Sequence, residues 1–346
     1  MALRVAVVGA GYWGPNLVRN FRGSPDWDLV AVCDLDQARA EWVIGDRTTV
    51  DVETSLDALL ARADIDAVAV ATPAATHCAI ALAALEAGKH VLVEKPLASS
   101  RLDAQRMVDR AEELDLVLMC DHTYCYTPAV QKIRDLVSTG YLGDVQFVDS
   151  VRINLGLVQP DIDVLWDLAP HDLSILDFVL PGGCRPVAVA AQGADPVGAG
   201  RACIGYLTLH LPEGAIAHAH VNWLSPTKIR TTIVGGSKRT LIWDDLNPSQ
   251  RISVYDRGVE VDDLSVDAPD RKRDVMVSYR SGDMVAPALP EREALRGVTS
   301  EFAAAITEHR PPLTDGRSGL RVLDVLDAAS RSLEYKGAVV PLRSAR

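Results

Sequence analysis

Val5-Ala6-Val7-Val8-Gly9-Ala10-Gly11-Tyr12-Trp13-Gly14 runs from an apolar stretch straight into a Gly-x-Gly-x-x-Gly turn, and Leu17, Val18 and Phe21 follow at helical spacing. This is strand, tight turn, helix. Twenty residues past Gly14 a second apolar run, Leu29-Val30-Ala31-Val32-Cys33, ends on Asp34. In a dinucleotide-binding βαβ unit the glycines let the backbone approach the pyrophosphate, and the helix N-terminus receives its charge. An acid at the end of the second strand binds the ribose hydroxyls. The context therefore makes Gly9, Gly11, Tyr12, Trp13, Gly14 and Asp34 candidate cofactor contacts. A carboxylate at position 34 would repel the extra phosphate of NADP, so NAD is the expected cofactor.

Outward from this unit, strands and helices keep alternating over short connections. A helix is expected near Leu56 to Arg62, a buried strand over Asp66 to Ala71 ending at Thr72-Pro73, and an alanine-rich helix from Ala74 to Ala87 capped by Gly88. The strand Val91-Leu92-Val93 then ends in Glu94-Lys95-Pro96, followed by a helix over about Leu102 to Leu114 and a strand over Leu116 to Met119. This alternation is the pattern of a parallel, doubly wound sheet. In such a sheet Lys95, at the carboxyl end of its strand, points into the crevice where ligands bind, with a surface lysine at a strand end as the other reading. His77 falls in the first turn of its helix near the same edge, with a capping or solvent-facing histidine as the other reading.

After Cys120-Asp121-His122 the pattern changes. A helix from Pro128 to about Thr139 leads into a strand from Val145 to Ile153. Hairpin signals then join Ala202–Leu211 to Ala215–Leu224 and Thr231–Val234 to Arg239–Trp243. A further short pair is expected at Ile252–Tyr255 and Val259–Val261, then a long charged loop over 262–294, then helices at Thr299–Glu308 and Ser318–Leu333. One helix interrupts the strands at Trp166-Asp167-Leu168-Ala169-Pro170-His171-Asp172, with Asp167 as its N-cap or just inside it. If that turn is helical, Asp167 and His171 share a face, and a carboxylate beside an imidazole suits a general base, with a capping Asp167 and a merely packed His171 as the other reading. Arg152 and Asn154, alternate residues of one strand, are substrate-pocket candidates, with a solvated strand face as the alternative.

Composition bounds the remaining possibilities. The 346 residues suffice for two cored domains, and 48% hydrophobic with 24% charged content is that of an ordinary soluble protein. A net charge of −12 disfavours nucleic acid or an anionic membrane as partner. No run of 18 apolar residues and no signal-peptide pattern is present, and six scattered cysteines without Cys-x-x-Cys spacing point to a reduced, cytoplasmic protein. His210, His218 and His220 lack a Cys or carboxylate at ligand spacing, so no metal is expected.

In this order, the glycine turn, Glu94-Lys95-Pro96, the Asp-x-x-x-His helix and an open sheet resemble the glucose-fructose oxidoreductase, inositol dehydrogenase and rhizopine catabolism (GFO/IDH/MocA) family of NAD(P) oxidoreductases. The resemblance covers nearly the whole chain. It implies a Rossmann domain, residues 1–122, and an α/β domain, residues 123–346, whose open, largely antiparallel sheet forms the interface of a homo-oligomer, dimer or tetramer. The last helix would pack back on the Rossmann domain. Lys95, Asp167 and His171 would be catalytic and would touch the substrate, and Thr72, Pro73, His77, Glu94, Lys95, His122 and Trp166 would join the cofactor contacts. The family often has a cis peptide before the proline of Glu94-Lys95-Pro96. Its usual Asp-x-Gly-x-His is here Asp167-Leu168-Ala169-Pro170-His171, with alanine for glycine. The runs Asp149–Gly156 and Trp166–Ser174 are similar to members found with sugar biosynthesis genes. That similarity implies NAD-dependent oxidation of the 3-hydroxyl of a hexose, nucleotide-linked or within an aminoglycoside, to a ketone for transamination. The alternatives are an inositol or cyclitol dehydrogenase, a ketoreductase acting on a keto-deoxysugar, and a non-catalytic NAD-binding regulator, which would normally lack one of Lys95, Asp167 or His171.

Overall fold

The computed structural model describes residues 2–46, 49–160, 162–262 and 276–342. In chain order the first half reads β1 (Leu3–Val8), α1 (Gly14–Arg22), β2 (Trp27–Cys33), α2 (Gln37–Ile44), β3 (Asp51–Glu53), α3 (Leu56–Leu60), β4 (Ala67–Val70), α4 (Ala74–Glu86), β5 (His90–Glu94), α5 (Arg101–Glu113) and β6 (Leu118–Asp121). The six strands form one parallel sheet in the order β3-β2-β1-β4-β5-β6. Strand order reverses between β1 and β4, and the crevice beyond their carboxyl ends is where doubly wound sheets bind ligands. Val5 to Val7, Ala67 to Val70 and Val91 to Val93 are fully buried, as strands covered on both faces require.

The second half continues with a 3-10 turn at Thr123–Tyr126, then α6 (Pro128–Ser138), β7 (Val145–Leu155), α7 (Val164–Val179), β8 (Ala188–Ala194), β9 (Ile204–His210), β10 (Ile216–Asn222), β11 (Leu224–Gly236), β12 (Thr240–Asp244), β13 (Ile252–Asp262), β14 (Met276–Val285), α8 (Ala294–Thr307), α9 (Gly316–Glu334) and β15 (Val340–Pro341). Its nine-stranded sheet runs β14-β13-β12-β11-β7-β10-β9-β8-β15. Among the described residues only β10 and β7 of this sheet pair in parallel; the other pairs are antiparallel. Two expectations are corrected here. β13 is one continuous strand rather than two short ones, and the segment expected to be a long loop contributes β14, paired along β13, with residues 263–275 outside the described set. β14 is the outermost strand, and its ladder with β13 pairs one side of its backbone while the other side faces outward.

α7 covers one face of this sheet closely: a Cβ on Gly205 of β9 would come within 2.9 Å of the Leu165 side chain. Asp172 of α7 receives Arg152 of β7 through two bonds of 2.8 and 3.0 Å, and Ser150 adds a third at 2.8 Å, all of them buried. The opposite face leaves Tyr206 stacked on His220 and His218, and Ile216 and Ile229 exposed.

The closing helices bind both halves. Trp27 stacks on Phe302 of α8 and donates to the Thr299 carbonyl, 2.8 Å away. The turn just before α9 meets the first sheet, with Cys120 N–H donating to Thr314 O at 2.9 Å, and Arg317 of α9 pairs with Glu112 of α5. α9 meets the second half through Arg321 on Asp177 of α7 and Ser332 on β8. Among the described residues no helix is long and apolar enough to cross a membrane, and all six cysteines are free.

Candidate active site

The glycine turn has the shape a dinucleotide needs. Gly9 has φ +99°, and a Cβ there would lie 2.7 Å from the Ala71 carbonyl carbon. A Cβ on Gly14 would run into Gly9 O, whereas one on Gly11 would meet nothing within 4 Å. One glycine therefore makes the turn, one lets helix pack on strand, and one leaves the backbone open to a ligand. α1 begins at Trp13 with no side-chain cap and with Pro15 in its first turn, so its positive end faces the glycine turn where an anion would lie. The Asp34 carboxylate lies against this turn, accepting from Ala10 N–H at 2.7 Å and Asp36 N–H at 2.9 Å. Tyr12 stands 96% exposed beside it. Further along the crevice Trp13 Nε1, Glu94 Oε1, Asp121 Oδ2 and both His122 ring nitrogens are buried with no hydrogen-bond partner among the described residues. Burial, then the Lys95 charge, pushes the His122 pKa down to about 3. Glu94 and Asp121 are register partners on β5 and β6, and burial followed by the Asp121 charge raises the Glu94 carboxyl well above its ordinary range. A neutral Glu94 can then share its proton with the adjoining Asp121 carboxylate. An open glycine cradle, an uncapped helix start and this row of unpaired polar atoms fit NAD.

His77 takes a different place from a capping or solvent-facing one. It is buried, with Nδ1 2.9 Å from Pro96 O and Nε2 2.8 Å from Thr72 O. Burial lowers its pKa, and a neutral ring donates to only one of these carbonyls. It ties the end of β4 to the end of β5 rather than offering a nitrogen to a ligand. Thr72 and Pro73 lead into α4, with the Thr72 hydroxyl accepting from Thr76 at 2.8 Å.

Lys95 leaves β5 through a cis Lys95–Pro96 peptide. Its Nζ donates to the Asp167 backbone carbonyl at 3.1 Å and lies 3.5 Å from Asp167 Oδ1. Asp167 is not the N-cap of α7. Asp163 holds that position, accepting from Leu165 and Trp166 N–H at 2.9 and 3.0 Å, so Asp167 sits one turn inside and Pro170 within the helix body. A proline there leaves the Trp166 carbonyl without its helical donor. Trp166 itself donates from Nε1 to Ser330 of α9 at 2.8 Å. Asp167 and His171, four apart on one helix, do share a face, but the Asp167 carboxylate has other partners: Lys95 on Oδ1 and Trp223 Nε1 on Oδ2 at 3.0 Å.

His171 lies edge-on to Tyr124, with ring centroids 5.1 Å apart. Burial, then the charges of Lys95 and Arg152, hold its pKa well below the ordinary histidine range, so the ring is neutral and able to accept a proton. Arg152 does not reach into open space as a free substrate contact. Its guanidinium is buried, bonded twice to Asp172, and lies 4.5 Å above the Tyr124 ring. Asn154, two residues on, is half-buried at the end of β7. Lys95, Asp167 and His171, drawn from two sheets' worth of chain, therefore meet at one place, next to the crevice of the first sheet. Trp223 and Tyr124 join them there, and Asp121 lies beside Glu94, without having been singled out from sequence, since a buried aromatic or a strand-end acid carries no distinguishing pattern. His218 and His220, by contrast, lie on the open sheet face, and no group of three or more potential metal ligands exists among the described residues.

Comparison with known proteins agrees with this geometry. Residues 3–122 match the family model for the NAD-binding Rossmann domain of the GFO/IDH/MocA oxidoreductases, and residues 130–242 match that for a C-terminal domain of the same group. The chain is 31% identical over 324 residues to a UDP-N-acetylglucosamine 3-dehydrogenase of Acidithiobacillus ferrooxidans, covering 93% of this chain and 94% of that one. A solved structure of that enzyme superposes with a TM-score of 0.79 at 28% identity, covering 97% of this chain and 99% of that one. An inositol 2-dehydrogenase of Rhizobium meliloti is 28% identical, covering 97% of this chain and 98% of that one. GenD2 from gentamicin A biosynthesis, solved in complex with NAD, superposes with a TM-score of 0.80 at 25% identity, covering 99% and 97%. From its glycine cradle to its Lys95, Asp167 and His171 cluster, the chain belongs to the GFO/IDH/MocA family of NAD-dependent oxidoreductases.

Proposed function

We propose that the enzyme oxidises a ring secondary hydroxyl, the 3-hydroxyl of a nucleotide-linked amino hexose, to a 3-keto sugar suited to later transamination. The observation that carries this reading is the convergence of Lys95, Asp167 and a neutral His171 beside the cofactor crevice. The substrate follows from the 3-dehydrogenase relative, which is similar along nearly the whole chain. NAD, when bound, supplies the hydride acceptor. His171 takes the hydroxyl proton, since its surroundings keep it unprotonated beforehand. Lys95 donates to the same oxygen as alkoxide character develops, a charge-stabilising contact that favours the transition state over the ground state. Asp167 holds the Lys95 ammonium in place. Asp34 favours NAD over NADP, with Gly9, Gly11, Tyr12, Trp13, Gly14, Thr72, Pro73, Glu94, His122 and Trp166 completing the cofactor contacts. The inositol dehydrogenase relative supports the cyclitol reading in second place. A second copy of the chain covers the open sheet face, and the enzyme works in the cytoplasm.

The direct test is NADH formation with UDP-N-acetylhexosamines, aminoglycosides and inositols. Nucleotide sugars are expected to turn over, and Lys95→Ala and His171→Ala to lose about 10²- to 10⁴-fold in kcat while keeping NAD affinity. Turnover of inositols alone would replace this reading with the cyclitol one, and normal turnover by either variant would remove that residue from its role.

A further inference from the structure

Tyr124 stands between the candidate base and two donors that nothing claims. His171 touches one side of its ring. Arg152, above it, is spent on Asp172. Arg230, the register partner of Arg152 on β11, places its guanidinium carbon 6.0 Å from the same ring. Its sole ion-pair partner among the described residues is Asp245, at 3.6 Å, too long for a hydrogen bond, and its Nε is buried without a partner. Trp243 of β12, buried and 6.4 Å from the Tyr124 centroid, likewise keeps an Nε1 without an acceptor. Trp243 faces Thr232 across the β11–β12 ladder, and Thr232 lies two residues from Arg230, so both side chains leave the same face of the sheet. Lys228, two residues before Arg230 on that strand, is exposed. Buried N–H groups left without acceptors are costly, and several at one place mark a site that receives them from a ligand.

The neighbouring charges narrow the ligand's chemistry. Lys95, Arg152 and Arg230 all act on His171 as cations. Lys95 and Arg152 are each held by a carboxylate, Asp167 and Asp172, whereas Arg230 has only the more distant Asp245, so a phosphate or carboxylate would meet Arg230 with donors to spare. We propose that Arg230, assisted by Trp243 Nε1, binds an anionic group carried by the sugar, a phosphate or a carboxylate, and so selects acidic substrates over neutral or cationic ones. This rests on the sugar dehydrogenase reading of the same site and adds the residue that sets its specificity.

The test uses the full chain saturated with NAD and compares the wild type with Arg230→Gln, Arg230→Lys and Trp243→Phe. UDP-N-acetylglucosamine, glucuronate, myo-inositol and an aminoglycoside serve as substrates, and UDP as a competitive inhibitor. Arg230→Gln should raise KM for the acidic substrate about tenfold or more, change kcat less than about threefold, and weaken inhibition by UDP to the same degree. Arg230→Lys should keep most of the affinity, Trp243→Phe should lose a smaller part, and KM for NAD should stay constant as a check on folding. Loss confined to UDP and the UDP sugar identifies phosphate as the group bound, and loss confined to glucuronate identifies carboxylate. If Arg230→Gln left KM and UDP inhibition unchanged while UDP-N-acetylglucosamine was still oxidised, the anion site would be wrong and the dehydrogenase reading would stand. Oxidation of inositol or the aminoglycoside alone, equally well by both proteins, also overturns the anion site. If no sugar were oxidised but Arg230→Gln still lost UDP binding, the anion site would stand and the dehydrogenase reading would fall.

Discussion

At the scale of single residues, the partner of Asp167 matters most. Its carboxylate is divided between Lys95 and the indole N–H of Trp223, so the acid steadies the lysine while the tryptophan steadies the acid. A hydrogen bond to a charged group is worth about 1.5–3 kcal/mol, so Trp223→Phe should lower kcat by about ten- to a hundredfold. The effect should vanish in an Asp167→Asn background, because the bond it removes is then no longer charge-assisted. Equal losses in both backgrounds, measured as a double-mutant cycle on kcat, would make Trp223 a packing residue only. His171 carries its own prediction. Its folded pKa is depressed, so the neutral base persists below the pH at which a free imidazole titrates, about 6.5. The acid limb of kcat/KM should therefore fall well below that pH, and a limb at or above it would contradict the cationic, buried setting of the ring.

At the scale of elements, legibility followed the way each element is held. β1, β2 and β5 read as apolar runs because they are buried, α1 as an amphipathic helix and α4 as an alanine-rich one, and glycines or prolines mark their ends. Lys95 and His171 were legible for the same reason: each sits at a recognisable position on such an element. β14 was not, since Tyr279, Met284 and Val285 are exposed and the strand is held by its ladder with β13 rather than by burial. The start of α7 was misplaced by a full turn, because Asp163 and Asp167 are both acids able to cap and Pro170 favours the later start. α2 left no clear signal either; it turns only Ala40 and Ile44 fully inward and exposes Trp42. Trp223 and Tyr124 stayed invisible as site residues because their burial gives them the same signature as any core aromatic.

At the scale of the whole molecule, the nine-stranded sheet is covered on one face and open on the other. Tyr206, Ile216, Ile229, His218 and His220 present a mixed aromatic and aliphatic surface there. Apolar surface of this kind on a flat sheet is expected to be buried by a second copy. Light scattering at micromolar concentration should give a mass of two or four times 37.3 kDa, and Tyr206→Glu should shift it toward the monomer with NAD affinity retained. A monomeric wild type would end the proposal.

The helix α9 has a consequence for how the enzyme comes into being. It grips β6 and α5 on one side and α7 and β8 on the other. Domains fold roughly in the order in which they are synthesised, so the nucleotide-binding half can condense while the ribosome is still adding the second sheet. α7, which carries Asp167 and His171, gains its bonds from Arg321 and Ser330 only when α9 has emerged. A chain halted before that point carries Lys95, Asp167 and His171 yet lacks the helix that ties α7 to the first half.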